Sequence, residues 1–459
     1  MKTLLVLPRF EPNSNPPLGI AYIAAAMRVA NQAVEILDPT FEGREFAIKR
    51  IEKADYDIIG FSCFTMNVNL AVELAAIAKK KNPKVITVFG GVHPTILPAE
   101  TIKEKPVDVV ALAEGEETFV ELHRAVETKK SLKGIKGIWF KQGKSIIKNP
   151  PRALIENLDV LPLPARDLLP MNKYLTASIG RSAWAVKQPS TTITTTRGCP
   201  FQCTYCSSWL TFGRRARFRS PEKILEEIQE LVDKYKIKGL AFVDDTFTLR
   251  PKVVEAVCDG MIARNLNLEW ICHTRVDTVS ESLFKKMKKA GCKIVAMGIE
   301  SGDQWVLDNI LKKGIKLEQV EKAFNWARNA GLVTDAYFML GSPGETKEQM
   351  LHTIEFAKRS NIDYANFNVT RPMPKTEMHD LAKKYGRLEV NCWEDYDFLA
   401  KPIFIANDWT PEEAMELKKR AFREFYFNPR YILRQLFSIR GWDDITRIFH
   451  GVQMVIKAT

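Results

Sequence analysis

Three cysteines spaced CxxxCxxC, Cys199, Cys203 and Cys206, lie in the run Thr194-Thr-Thr-Arg-Gly-Cys-Pro-Phe-Gln-Cys-Thr-Tyr-Cys206. A cubane of four irons takes four thiolates when the protein closes it, so a triad leaves one iron open to a substrate or cofactor. The competing chemistry is a structural zinc. That ion wants a fourth Cys or His at matching spacing, and the sequence from Cys206 through Arg219 offers neither. Three thiolates this close must share one loop. The run Thr191-Thr-Ile-Thr-Thr-Thr196 before them is β-branched and reads as a strand feeding that loop.

The elements that must position the loop are legible around it. From residue 191 to about 380, strands and helices alternate with six strand candidates, the pattern of a partial (β/α)6 barrel, whose strand carboxyl ends would face the cysteines. These ends read Gly239–Phe247, with Asp244 and Asp245 at the mouth, then Leu268–Arg275, Ile294–Gly302, Thr334–Glu345 and Ala365–Thr370. Residues 1–135 make a second α/β pattern. Strand-like runs at Thr3–Leu7, Ala33–Leu37, Ile58–Ser62, Val85–Phe89 and Val109–Leu112 alternate with helical stretches, which implies a doubly wound, Rossmann-like parallel sheet. Ligands bind such sheets at the carboxyl ends of strands. Those ends carry Pro8-Arg-Phe10, Gly60-Phe-Ser62, Gly90-Gly-Val-His-Pro94 and Glu114-Gly-Glu-Glu-Thr118. No GxGxxG fingerprint is present in this segment, which argues against a dinucleotide.

Residues 136–190 are proline-rich and irregular (Asn149-Pro-Pro151, Leu161-Pro-Leu-Pro164) and read as a linker. Residues 381–459 read as a helical extension, opened by Thr410-Pro-Glu-Glu413 as cap and first turn. Within it, Phe425–Arg440 combines aromatics, aliphatics and arginines at helical spacing. Packing on the barrel is the ordinary reading, and a basic face touching an anionic membrane is the sharper one. The chain of 459 residues, 46% hydrophobic and 27% charged, has the composition of a globular multidomain enzyme. Its other cysteines, Cys63, Cys258, Cys272, Cys292 and Cys392, are scattered singly, as in a reducing cytoplasm. Met1–Pro8 is too short an apolar run for a signal peptide, so a cytoplasmic location is expected. The net charge of +12 is spread along the chain rather than blocked, and nucleic acid is not expected as a partner.

The cysteine motif with Tyr205 before its last thiol resembles the radical SAM enzymes. Pro16-Pro-Leu-Gly-Ile20, Gly90–Pro94, Glu114–Thr118, Gly298-Ile-Glu-Ser-Gly302 and Gly341-Ser-Pro-Gly-Glu-Thr346 resemble the cobalamin-binding subgroup, methyltransferases of the class B type. The resemblance implies a [4Fe-4S] cluster on the three cysteines, S-adenosylmethionine on its open iron, cobalamin on the first domain, and an electron donor of the flavodoxin or ferredoxin type. It also implies C-methylation of an unactivated carbon in a small-molecule or lipid substrate. One S-adenosylmethionine would supply the methyl group through cobalamin, and a second would supply a 5′-deoxyadenosyl radical. A cyclisation or ring rearrangement without methyl transfer is the alternative, and a non-catalytic carrier a further one.

S-adenosylmethionine offers an ammonium, a carboxylate, a ribose and an adenine. Its expected partners are Asp244 or Asp245 for the ammonium, Arg275 for the carboxylate, Glu300 or Ser301 for the ribose or amino-acid end, and the Gly341 turn for adenine, with Tyr205 beside them. For cobalamin the expected contacts are Pro8, Gly60, Ser62, Gly90, Gly91, His93, Glu114, Gly115 and Glu116. The DxHxxG loop that gives cobalt a lower histidine in other cobalamin proteins is missing between Arg9 and Leu18, which leaves His93 as the alternative ligand. His273, Tyr337, Asn366, Asn368 and Arg371 are candidates for the substrate wall. In Arg371-Pro-Met-Pro-Lys-Thr376, Lys375 stands where the family's turn has glycine, and a changed loop geometry is expected there.

Overall fold

The computed structural model describes residues 1–10, 15–53, 55–177 and 186–437. In the first sheet, β1 (Thr3–Val6), β2 (Val34–Leu37), β3 (Ile58–Ser62), β4 (Ile86–Gly90) and β5 (Val109–Ala111) run parallel in the order β2-β1-β3-β4-β5. Leu4, Val6, Ile59 and Phe61 pack on one face, while Leu5, Ile58 and Val88 pack on the other. Strands apolar on both faces belong in a parallel sheet covered twice by helices. The chain passes from one side of β1 to the other between β2 and β3, so a ligand crevice opens at the carboxyl ends of β1 and β3.

This sheet continues into the stretch read as linker. The hairpin β6 (Ile138–Gln142) and β7 (Ser145–Lys148) adds two antiparallel strands beside β5, turning at Gly143 with φ +59°.

The second sheet is an open barrel. Its strands β8 (Ser190–Ile193), β11 (Gly239–Phe242), β12 (Glu269–Thr274), β13 (Cys292–Glu300), β14 (Val333–Leu340) and β15 (Tyr364–Val369) are parallel and follow chain order across the sheet. Two short strands, β9 (Thr196–Arg197) and β10 (Arg217–Phe218), pair antiparallel on either side of the cysteine loop. The run 191–196, expected as one strand, is broken after Ile193. The cause is Asp244, whose carboxylate accepts the backbone N–H groups of Thr195 and Thr196 at 2.7 and 2.6 Å and draws them out of the ladder. Beneath β11 and β12 the fully buried Trp270 donates its indole N–H to the Ala290 carbonyl at 2.8 Å and stands edge-on to Phe242 and Phe247.

The C-terminal region serves the barrel. β16 (Gly386–Leu388) and β17 (Phe404–Ala406) pair antiparallel, and the helix Pro411–Tyr426 buries Ala414, Ala421 and Phe425. β15 is an edge strand, and bare edges invite pairing. Here the Tyr426 hydroxyl donates to the Ala365 carbonyl at 3.0 Å and accepts from its N–H at 3.1 Å, while Tyr431 donates to the Asp363 carbonyl at 3.0 Å. Phe425, Tyr426 and Tyr431 of the run read as a membrane surface are thus turned to the barrel, while Phe427, Ile432 and Leu433 stay exposed; residues 438–440 of that run lie outside the described residues. Among the described residues no helix is long and apolar enough to cross a membrane.

Gly341, expected under adenine, has φ +72°, and a Cβ on it would stand 2.9 Å from Trp409. It seats that indole. Glu345 closes the same turn by accepting the Ser342 N–H at 2.8 Å, and burial pushes its carboxyl up to about 8. The folded side chain therefore holds a proton that the unfolded one releases near the ordinary value of 4.5, so stability falls as pH rises between these values and then levels off. Glu345→Gln has no proton to lose. Urea midpoints followed across that pH range should be flatter in the variant than in the natural protein.

Candidate active site

Two cavities flank the cysteine loop, the first at the seam between the sheets and the second at the carboxyl ends of the barrel strands. The first, of 320 Å³, is walled by Gly60, Ser62, Gly90, Gly91, Glu114, Gly115 and Glu116 from the first sheet and by Thr196, Arg197 and Phe212 from across the seam. Glycine at position 60 answers to packing from below, because a Cβ there would lie 2.6 Å from the Phe119 ring. At Gly91 the backbone itself demands glycine, with φ +95°.

Pro8 and His93, both expected at this cavity, do not line it. His93 is buried in the short helix Val92–Ile96 with its ring 4.8 Å from Trp393, and burial lowers its pKa to about 4, so it is neutral at pH 7. Glu114 and Glu116 do reach the cavity, but their charge is spent across the seam. Arg197 and Arg217 stand directly opposite each other on β9 and β10, an arrangement in which like charges repel. Glu114 accepts from Arg197 at 2.8 Å, from Arg217 at 2.8 Å and from the Ile155 N–H at 2.7 Å, while Glu116 accepts from Arg197 at 2.5 Å. Burial alone would raise the Glu114 carboxyl, but the two guanidinium groups hold it below the usual range. A second buried group ties the linker to the barrel: Glu227 of the helix Pro221–Tyr235 pairs with Arg166 at 2.6 Å and with Arg219, which also meets the Tyr22 hydroxyl of the first domain at 3.3 Å.

The second cavity, of 580 Å³, is walled by Cys199, Cys203, Cys206, Tyr205, Arg275, Glu300 and Lys313, with His273, Tyr337, Asn368 and Arg371 further round. The three thiols line this one cavity, and among the described residues no three or more His, Cys, Asp or Glu are gathered as a cage for a single ion. Burial raises the Cys199 thiol and pushes Cys206 up to about 11. Glu300 sits where β13 bulges, with φ +73°, a strained conformation of the kind found at functional positions. Its carboxylate accepts from the Tyr205 hydroxyl and from Lys313, each at 3.0 Å, and Lys313 also donates to the Tyr205 hydroxyl at 2.9 Å. Lys313 was not singled out in the sequence. It lies in a loop thirteen residues past Glu300, and only the fold brings the two together.

Several expected ligands are occupied elsewhere. Asp244 receives the hydroxyls of Thr195 and Thr196 as well as their N–H groups. It holds the backbone that leads into the cysteine loop. Arg275 is forked onto Asp277 at 2.9 and 2.8 Å, donates to the Lys313 carbonyl at 2.8 Å and lies 3.4 Å over the Phe201 ring, with its remaining arm 3.9 Å from the Cys203 sulfur. It meets a cysteine rather than offering a free fork to a carboxylate. Ser301 is fully buried against Thr353 and lies away from the cavity, and Asn366 donates to Asp335 at 2.7 Å. His273 is exposed to the cavity yet surrounded by protein, and burial lowers its pKa. Lys375 adopts φ +63°, the left-handed form that glycine takes most readily. Asp245 lines both cavities, and there they meet.

Residues 193–357 match the radical SAM superfamily model, and residues 12–123 match the B12 binding domain. The uncharacterized methyltransferase of Pyrococcus horikoshii is 37% identical, covering 99% of this chain and 98% of its own. The chain belongs to the cobalamin-binding radical SAM family. The anaerobic magnesium-protoporphyrin IX monomethyl ester cyclase of Rubrivivax gelatinosus is 29% identical, over 91% of this chain and 75% of its own. The radical SAM methyltransferase TsrM of Kitasatospora setae, solved with cobalamin and a [4Fe-4S] cluster bound, shares the fold with a TM-score of 0.75 and 16% identity, over 94% of this chain and 89% of that one. The cofactors of the family, a [4Fe-4S] cluster, S-adenosylmethionine and cobalamin, are those of this chain. Radical SAM enzymes draw on a reductant and act on a small molecule. The walls suit these groups: three thiols beside a polar triad in one cavity, and a glycine-bearing floor in the other.

Glu114→Ala would leave the buried Arg217 without a counter-charge directly opposite Arg197, which keeps only Glu116, a loss of about 3–5 kcal/mol. Scanning calorimetry should show the unfolding transition of the variant lowered accordingly or split in two.

Proposed function

We propose that this chain is a cobalamin-dependent radical SAM methyltransferase that methylates an unactivated carbon of a small-molecule or lipid substrate. It would act in the cytoplasm with electrons from a flavodoxin- or ferredoxin-type donor. The observation that carries the reading is the meeting of the two cavities at Asp245, one walled by three thiols and the other by the glycine loops of the first sheet. When bound, the cluster with S-adenosylmethionine supplies a hydrogen-abstracting 5′-deoxyadenosyl radical, and cobalamin supplies the methyl group.

In this reading Cys199, Cys203 and Cys206 hold the cluster, and the Arg275 arm near Cys203 places a positive donor against a cluster sulfur, one of the levers on cluster potential. Tyr205, Glu300 and Lys313 present a polar edge to the amino-acid or ribose end of S-adenosylmethionine, with Lys313 balancing the Glu300 charge. Gly60, Ser62, Gly90, Gly91 and Gly115 form the floor for the corrin, and His93, committed to Trp393, is no ligand to cobalt. Phe201, Phe338, Met339 and Val369 line the thiol cavity with apolar surface that disfavours water near a reactive radical.

A cyclisation without methyl transfer is the second reading, favoured by kinship to the Rubrivivax cyclase. Anaerobically reconstituted enzyme supplied with methyl-labelled S-adenosylmethionine separates the two. Methylation puts label in the product with one S-adenosylhomocysteine and one 5′-deoxyadenosine per turnover; unlabelled product alongside 5′-deoxyadenosine would make the enzyme a cyclase. Cys203→Ala should abolish cluster incorporation and 5′-deoxyadenosine formation, both read directly after reconstitution, while the corrin absorption remains.

A further inference from the structure

Three strong cations wall the thiol cavity, and among the described residues only two have a carboxylate. Arg275 is paired with Asp277 and Lys313 with Glu300. Arg371, just past the end of β15, makes no ion pair although it is only 8% exposed. Two of its nitrogens donate to main-chain carbonyls, those of Asp395 and Ala400, and Nε has no partner. The nearest acids are turned elsewhere: the Asp395 carboxylate receives the N–H groups of Asn391 and Cys392 at 2.7 and 3.1 Å, and Asp397 receives that of Leu399 at 2.8 Å. Burial presses the Arg371 pKa downward, with those two acids only partly opposing it. A buried charge answered by carbonyl dipoles alone is costly, and an anion entering the cavity would relieve it.

The surface beside Arg371 is apolar. Met339, Val369, Met373 and Phe398 line the same cavity, and Phe398 and Leu399 are 57% and 79% exposed. We infer that the substrate is an anionic amphiphile, whose carboxylate or phosphate pairs with Arg371 and whose apolar body lies against Met339, Val369, Met373 and Phe398, beside the three thiols. The inference rests on the proposed function, which makes this cavity the substrate site. The competing anion is the carboxylate of S-adenosylmethionine, and the test must separate the two.

Reconstituted holoenzyme loaded with S-adenosylmethionine is titrated calorimetrically with dodecyl phosphate, dodecanol and inorganic phosphate. Dodecyl phosphate should bind at least about tenfold more tightly than either of the others, the scale of one charge-assisted pair. Arg371→Gln should bring dodecyl phosphate down to the level of dodecanol without changing dodecanol itself, and Arg371→Lys should restore part of the difference. Equal affinities for the two dodecyl probes in the natural protein would overturn the inference whether or not a variant folds. Inorganic phosphate binding as tightly as dodecyl phosphate would remove the apolar body from it, and a loss of S-adenosylmethionine affinity in Arg371→Gln would assign the residue to the cofactor. In the natural protein, uptake of the cluster and of cobalamin on reconstitution, read from their absorption, reports on the proposed function separately: failure to take up either overturns that reading, whereas uptake of both with equal probe affinities overturns only the amphiphile.

Discussion

Two arginines opposed across a two-strand ladder would push the cysteine loop open, and the molecule depends on a carboxylate from another domain to prevent it. Arg197 lies two residues before Cys199, and Arg217 closes the far side of the same loop. Glu114 satisfies both, and Glu116 adds a second contact to Arg197. A buried ion pair adds little net stability over an apolar contact, but it is intolerant of displacement, because separating the partners strands charges in a low dielectric. That intolerance is useful where two cofactors must face each other. The loop that precedes the thiols cannot relax without the first sheet in place, so the spacing between the two cavities is set by charge geometry at their border. The Arg166–Glu227–Arg219 group repeats the device, and Arg219 also donates to the Thr194 carbonyl just upstream of the loop.

The same economy explains why charged residues at the barrel's strand ends are so thoroughly engaged by the protein itself. Asp244 fastens the backbone of the threonine run, Arg275 is clamped by Asp277, and Ser301 is sealed against Thr353. A loop that holds reactive groups must be rigid before its ligand arrives, since ordering it on binding would draw on binding energy. What remains at the cavity wall is a short set of groups, chiefly Tyr205, Asp245, Glu300, Lys313 and Arg371, each held by neighbours that fix its position. The strained backbone of Glu300 belongs to the same logic, since its carboxylate is gripped by both Tyr205 and Lys313.

The sequence was most readable where the physics is local. Both sheets follow from β-branched and apolar runs separated by helical periods, and the three thiols are close enough in the chain to be seen together. The β6–β7 hairpin was missed because it sits among prolines and pairs a five-residue strand, Ile138–Gln142, with a four-residue one, Ser145–Lys148, that is mostly exposed. The seam was illegible for another reason. Glu114 finds its partners 83 and 103 residues away, and Lys313 meets Tyr205 across 108, so nothing in local spacing announces either pairing. At strand ends a side chain that holds a loop and one that holds a cofactor look alike in sequence; Asp244, which fastens the threonine run, is the clearest case. His93 misled similarly, since its neighbour Trp393 arrives from the far end of the chain.

That distant tryptophan belongs to the segment between β16 and β17, which is fastened at two places on either side of the seam. On the first domain, Trp393 packs against His93 and Glu394 accepts from Asn69 at 2.9 Å. On the barrel, Arg371 holds the carbonyls of Asp395 and Ala400. A neutral, buried imidazole against an indole is a contact that ordinary pH changes leave alone, so the first fastening behaves as a fixed apolar joint. With the ion groups at the seam and this segment across it, separation of the domains would have to break buried charge pairs and aromatic packing together. Between the fastenings, Asp397–Ala400 is held mainly by its own turn, with Ala400 N–H on the Asp397 carbonyl at 3.0 Å and Leu399 N–H on the Asp397 carboxylate at 2.8 Å. Local opening follows the fewest buried contacts. Phe398, which lines the thiol cavity, and its neighbour Leu399 thus lie on the most exposed part of this segment, away from the buried contacts that hold the two domains together.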